Sequence, residues 1–219
     1  MSTTNERVSS GSRFSTRSLV LTALMTAVTC ILAPLSIPIP LSPVPLTLTN
    51  LVLGFSIFLL GWKKATASCI IYLLLGLCGL PVFSGFSGGV GKFAGPTGGY
   101  LIGFLFLTVI GGLVAGHFHW RRGACVAGLV LGMAVTYAFG TAWLCVQLGL
   151  GITEGLFIGV IPYLPGDAVK IALTVILGKF FQQELRVTFV QVETQLFKVF
   201  MCGTFFSLRR YRWPLPLAG

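Results

Sequence analysis

Gly79–Gly103 reads GLPVFSGFSGGVGKFAGPTGGYLIG, and a second stretch, Pro165–Lys170, reads PGDAVK. Glycine recurs through the first, together with Pro81 and Pro96, and a strongly apolar run lies on either side. Glycine and proline are the poorest helix formers, so a helix cannot run through that density of them. The second stretch sets an acid, Asp167, and a base, Lys170, inside the last apolar run. The chain around them is 55% hydrophobic and 9% charged, with a mean hydropathy of +0.92. That composition is a membrane protein's. In a bilayer, non-helical backbone is tolerated only where protein buries it or where it lines a cavity. Ionisable groups at such depth are costly and mark function. Together the two stretches predict a small-molecule site inside a membrane bundle.

Working outward, six apolar runs lie near residues 18–34, 46–62, 65–80, 98–116, 123–148 and 156–179. Each compares with the ~20 residues a helix needs to span a bilayer. The expected fold is an all-α integral membrane protein of six transmembrane helices. Its Gly/Pro-rich loop between helices 3 and 4 would form part of the substrate cavity. Residues 1–17, rich in Ser, Thr and Arg, are expected to be a disordered cytoplasmic N-terminus, and 18–182 the membrane domain. Residues 183–219 would be a basic tail; ending in Arg209-Arg210-Tyr-Arg212-Trp213, it reads as an interfacial helix.

The net charge of +10 does not point to nucleic acid, because of where the charges fall. Arg7, Arg13 and Arg17 precede the first run, Lys63 and Lys64 sit between the second and third, and Arg121 and Arg122 between the fourth and fifth. Lys179, Arg186, Lys198, Arg209, Arg210 and Arg212 follow the sixth. Six crossings put all of these on one side, so the positive-inside rule places both termini in the cytoplasm. Val28-Thr29-Cys30 offers no convincing cleavage site, and the first run is expected to be a retained helix. The six cysteines are dispersed without a CxxC pair and read as small apolar residues. No metal or other cofactor is expected.

Three further features bear on chemistry. Ala23 and Ala27, flanked by Thr22 and Thr26, make a flat stripe on the first helix suited to close approach of a partner helix. Five prolines between Pro34 and Pro45 make the next segment an extended outer loop or lid. Asp167 and Lys170, three residues apart, share a helix face just after the break at Pro165-Gly166. Asp167 then falls in the first helical turn, where a carboxylate suits the positive end of the helix dipole. In the loop, Phe83, Phe86 and Phe93 are available to pack on a ligand, and Lys92 is an outer cation free to meet an anion. Gly85-Phe86-Ser87-Gly88 fits the GxSG of rhomboid intramembrane proteases, which would make Ser87 a nucleophile. Such a serine needs a histidine base. His117 and His119 fall at the opposite, cytoplasmic end of the fourth run, so the hydrolase is the weaker alternative.

The loop sequence, Pro43-Val-Pro-Leu-Thr47 and Ile161-Pro-Tyr-Leu-Pro-Gly-Asp-Ala-Val-Lys170 resemble the BioY family over about residues 18–182. That family is the biotin-binding S-component of energy-coupling factor (ECF) transporters. The resemblance implies biotin uptake across the bacterial cytoplasmic membrane, either alone or with a transmembrane coupling subunit and two ATPase subunits. It implies that Asp167 and Lys170 hydrogen-bond the ureido head of biotin and that Phe83 and Tyr100 flank its rings. Lys92 is expected to pair with the carboxylate of the valerate tail, on grounds of charge. Where the family commonly carries Gln after Pro-Val-Pro-x-Thr-x, this chain has Thr49 with Asn50 beside it, and either can supply the hydrogen bond. Ala23 and Ala27 match the alanine pattern through which S-components dock on the coupling subunit. No Gly-x-x-x-x-Gly-Lys-Ser/Thr occurs, so ATP hydrolysis is not expected of this chain and no residue is assigned as catalytic. Another small vitamin or anion remains the alternative ligand.

Overall fold

A computed structural model of the chain describes residues 16–38, 42–118, 120–178 and 180. The expected disordered start, apart from its last two residues, and the expected interfacial tail lie outside the described residues, as do His119 and Lys179. The fold is mostly helical. Helix α1 (Thr16–Leu32) is followed by two short strands, β1 (Ser36–Ile37) and β2 (Leu46–Thr47), then by α2 (Thr49–Leu60) and α3 (Trp62–Leu77). A short α4 (Val90–Ala94) precedes the long helices α5 (Gly98–His117) and α6 (Arg122–Leu148). Helix α7 (Ile152–Gly159), a 3-10 turn (Ile161–Tyr163) and a helix over residues 164–178, α8, complete the described chain. Among the described residues, three apolar helical stretches can cross a membrane by length and composition: Gly98–His117, Gly123–Leu148 and Ile152–Gly178. Helices α1 and α2 are apolar but shorter.

Glycine sets how closely the two longest helices pack. Down the antiparallel α5–α6 seam, Gly99 faces Trp143, Gly103 faces Thr136, Gly132 faces Leu107 and Gly128 faces the backbone of Gly111. A side chain at any of these positions would collide with the opposite helix. Small residues at such seams let backbones approach, which is how helices associate where lipid supplies no hydrophobic drive. The Thr136 hydroxyl donates across the seam to the Gly103 carbonyl at 2.9 Å.

In α1 the threonines turn inward. Thr22, Thr26 and Thr29 are buried, and each hydroxyl donates to the carbonyl four residues back at 2.8–2.9 Å. Such back-bonding satisfies a hydroxyl in apolar surroundings. Thr26 also lies 2.8 Å from the Ser68 hydroxyl of α3. The stripe expected to combine Thr22 and Thr26 with the alanines is therefore divided: the threonines face the bundle, while Ala23 and Ala27 are exposed.

The proline-rich segment is a hairpin as well as an extended loop, with Ser36 paired to Thr47 and Ile37 to Leu46. The glycine-rich loop also carries more order than expected. It contains α4 and a local bridge in which the Phe83 N–H donates to the Ser87 carbonyl at 2.9 Å. Gly85 and Gly89 take φ values of +72° and +85°, which a side chain would oppose. The Gly89 N–H donates to Gly76 at the end of α3 (2.7 Å), pinning the loop to the bundle. Lys92 lies at the end of the molecule where α5 begins, since Gly98 packs on Phe93. Lys63 and Lys64 lie at the opposite end, where Gly112 of α5 packs on Trp62.

Candidate functional site

An open cavity lies between the hairpin and the helices. Val44–Thr47 of the hairpin border it on one side, with Thr49 and Asn50 of α2 and Tyr72 of α3. Ser84 and Thr97, near the two ends of the glycine-rich loop, line it too. Helices α5 and α6 contribute Tyr100, Phe104, Met133 and Tyr137, and the last segment contributes Tyr163, Asp167 and Lys170. The lining is apolar with a few convergent polar groups, the usual character of a ligand site.

Asp167 and Lys170 face the cavity from the first turns of α8 and are 4% and 8% exposed. Pro165 stands at the start of this helix, where its missing N–H costs no hydrogen bond. The Lys170 Nζ donates to Asp167 Oδ1 at 2.8 Å, the one ion pair among the described residues. The other carboxylate oxygen, Oδ2, accepts the hydroxyl of Tyr137 from α6. Lys170 has three protons, so two remain after the bond to Asp167. The pair thus offers acceptor and donor side by side, which suits a ligand head that carries both N–H and C=O groups.

The aromatic hydroxyls near this pair are largely committed. Tyr100 presents its ring to the cavity, while its hydroxyl donates to the Gly159 carbonyl at 3.1 Å and lies 3.2 Å from the Thr141 hydroxyl. The Tyr163 hydroxyl donates to the Val44 carbonyl, tying the hairpin to the last segment. Asn50 differs: its Oδ1 is buried without a hydrogen-bond partner among the described residues. A buried acceptor left unpaired calls for a donor. Thr49, beside it, is buried and also lines the cavity.

Phe83 is not where the sequence put it. The Phe83 side chain is fully buried, fills the space left by the missing side chain of Gly76, and does not line the cavity. Its ring meets those of Tyr72 and Phe93 edge to face, each at 5.6 Å between centroids. It backs Tyr72, and Tyr72 is what the cavity sees. Phe86 is 67% exposed. Lys92 is half-buried on α4 and is not among the lining residues, although the loop that carries it borders the cavity at Ser84 and Thr97. Burial holds its ammonium below the usual lysine range. No acid pairs with it among the described residues.

Tyr137, Tyr163, Ser84 and Thr97 were missed as site residues by the sequence reading. For Tyr137 a signal existed: a phenol in the middle of an apolar helix needs a polar partner. Among the described residues Ser87 gains no base. Its hydroxyl donates to the Ser84 carbonyl at 2.8 Å, and His117 sits at the far end of α5 from the loop. A helix of 20 residues is about 30 Å long.

Comparison with known proteins identifies the family. Residues 4–187 match the BioY family. A biotin transporter BioY of Rhizobium etli is 37% identical over 175 residues, 75% of this chain and 92% of the relative. A probable biotin transporter BioY of Pyrococcus horikoshii is 38% identical over 162 residues, covering 74% and 94%. The crystal structure of the S-component for biotin from an ECF-type ABC transporter superposes with a TM-score of 0.72 at 32% identity, covering 76% of this chain and 91% of that one. With its glycine-rich loop, its PGDAVK element and a family match that spans most of its length, this chain belongs to the BioY family.

Proposed function

We infer that this protein binds biotin in the cavity and carries it into the cell, as the substrate-binding component of an ECF-type transporter. The observation that carries this reading is the buried Asp167–Lys170 pair lining a cavity between the hairpin and the helices in a member of the BioY family. In this reading the ureido head meets Asp167 and Lys170. Tyr100 and Tyr72 offer ring faces, and Asn50 or Thr49 supplies a further polar contact. The six apolar runs each cross the inner membrane. The separation of Lys63 and Lys64 from Lys92 along α5 supports a cytoplasmic basic end and an outer cavity mouth. Energy would come from a coupling subunit and two ATPase subunits. Equilibrium binding of labelled biotin to the purified protein tests the reading, with desthiobiotin and other vitamins as competitors. Saturable binding displaced by biotin and desthiobiotin is expected. Equal displacement by a vitamin without a ureido ring would transfer the site to a broader class of ligand.

Lys92 is proposed to meet the biotin carboxylate at the loop edge. An unpaired, half-buried cation on the loop bordering the cavity supports this. Lys92→Ala should then weaken biotin far more than biotin amide, whose tail is uncharged. The pH dependence follows. Only the charged ammonium attracts the carboxylate, and burial lowers the pH at which that charge is lost. Affinity for the acid should therefore be retained at neutral pH and decline as alkaline pH passes through the lowered lysine range, with no matching decline for the amide. Equal losses for acid and amide in Lys92→Ala would remove Lys92 from the site.

A further inference from the structure

The carboxylate of Asp167 is held by two donors from different helices, and one of them has no role in the reading above. Lys170 occupies Oδ1 from the same helix, and Tyr137 reaches Oδ2 from α6. The Tyr137 and Asp167 side chains also line an apolar groove between α6 and α8, with Val130 and Leu164, so they stand in the wall between the cavity and that groove. With Lys170 alone, the carboxylate would be fixed at one oxygen and free to pivot about that bond. A second donor removes the pivot. An ionised carboxylate has about four lone-pair sites, so two internal donors still leave acceptor sites for a ligand N–H.

We propose that Tyr137 is a positioning residue of the head-group site: its hydroxyl fixes Asp167 against Lys170 and aims the carboxylate at the ligand. The proposal rests on the biotin reading. Its physical content is preorganisation, since a site that need not order its groups at the moment of binding keeps more of the interaction energy as affinity. Other hydroxyls around the cavity do not serve this purpose. Those of Tyr100 and Tyr163 go to backbone carbonyls, and that of Thr136 bonds the carbonyls of Gly103 and Gly132.

The test is binding of labelled biotin and of biotin amide to purified wild-type, Tyr137→Phe, Asp167→Ala and doubly substituted protein. Hydrogen bonds to charged groups set the scale, so Tyr137→Phe should weaken both ligands by the same factor, about tenfold to a hundredfold. The melting temperature of the unliganded protein should fall by only a few degrees, because Lys170 still holds the carboxylate and the ring still fills the wall. Where Asp167 is already Ala there is nothing left to orient, and Tyr137→Phe should add no further loss. Unchanged affinity in Tyr137→Phe overturns the proposal. So does the same fold-loss persisting in the Asp167→Ala background, which would mean direct ligand contact or general packing. If Tyr137→Phe does not accumulate, Tyr137→Leu carries the same comparison. Failure of the wild-type protein to bind biotin would sink the biotin reading itself, whereas wild-type binding with an unaffected Phe variant sinks only the role of Tyr137.

Discussion

Asp167→Asn and Lys170→Ala are each expected to weaken biotin binding by roughly thirtyfold to several thousandfold, the range that follows from removing one partner of a buried, hydrogen-bonded charge pair. The reason is visible around the carboxylate. Both oxygens of Asp167 accept donors, from Lys170 and from Tyr137. An Asn amide has a single acceptor, so it cannot receive both donors as the carboxylate does, and it removes the negative charge that Lys170 neutralises. Lys170→Ala leaves a carboxylate 4% exposed without its cation. Removing a buried charge partner also destabilises the fold, by about 3–5 kcal/mol. Yield and melting temperature of detergent-solubilised protein must therefore be measured beside affinity. Well-folded variants that bind biotin like the wild type would show that the head group sits elsewhere in the cavity.

The second large effect is expected on transport and not on binding. Ala23→Trp combined with Ala27→Trp should abolish biotin uptake and co-purification with a coupling subunit, while the purified protein still binds biotin. Both alanines are exposed on α1, and neither lines the cavity. Close backbone approach is what joins helices in lipid, and an indole on the contact face holds a partner helix away. The threonines that might have widened the effect point the other way, into the bundle. Lost binding with retained partner association would mean that the stripe packs within this chain. Unchanged uptake would favour a transporter that works without a partner.

How much of this could be read in advance varies from residue to residue, for physical reasons. The membrane class, the apolar helical runs and the break between Gly79 and Gly98 were legible because apolar composition and glycine density act locally, wherever the chain goes. The Asp167–Lys170 pair was legible because i,i+3 spacing on a helix places two side chains together without help from the rest of the fold. The inward turn of Thr22 and Thr26 was not, since it depends on Ser68 standing on a different helix.

Phe83 shows the limit most clearly. An aromatic residue amid glycines reads as a ligand contact, yet its ring is buried against Gly76 and behind Tyr72, a choice made by the shape of α3. Tyr137 shows the converse. Nothing within α6 announces its partner, because Asp167 is 30 residues away in the chain and the bond forms only when α6 and α8 pack. The sequence by itself determined the solvent this protein lives in, the places where its helices stop, and the acid and base at its centre, since those follow from composition and short-range geometry. Only the tertiary structure decided which aromatic rings face the cavity, which hydroxyls are already committed to backbone carbonyls, and what holds the second oxygen of Asp167. Each of those depends on contacts between helices far apart in the chain, and no local pattern encodes them.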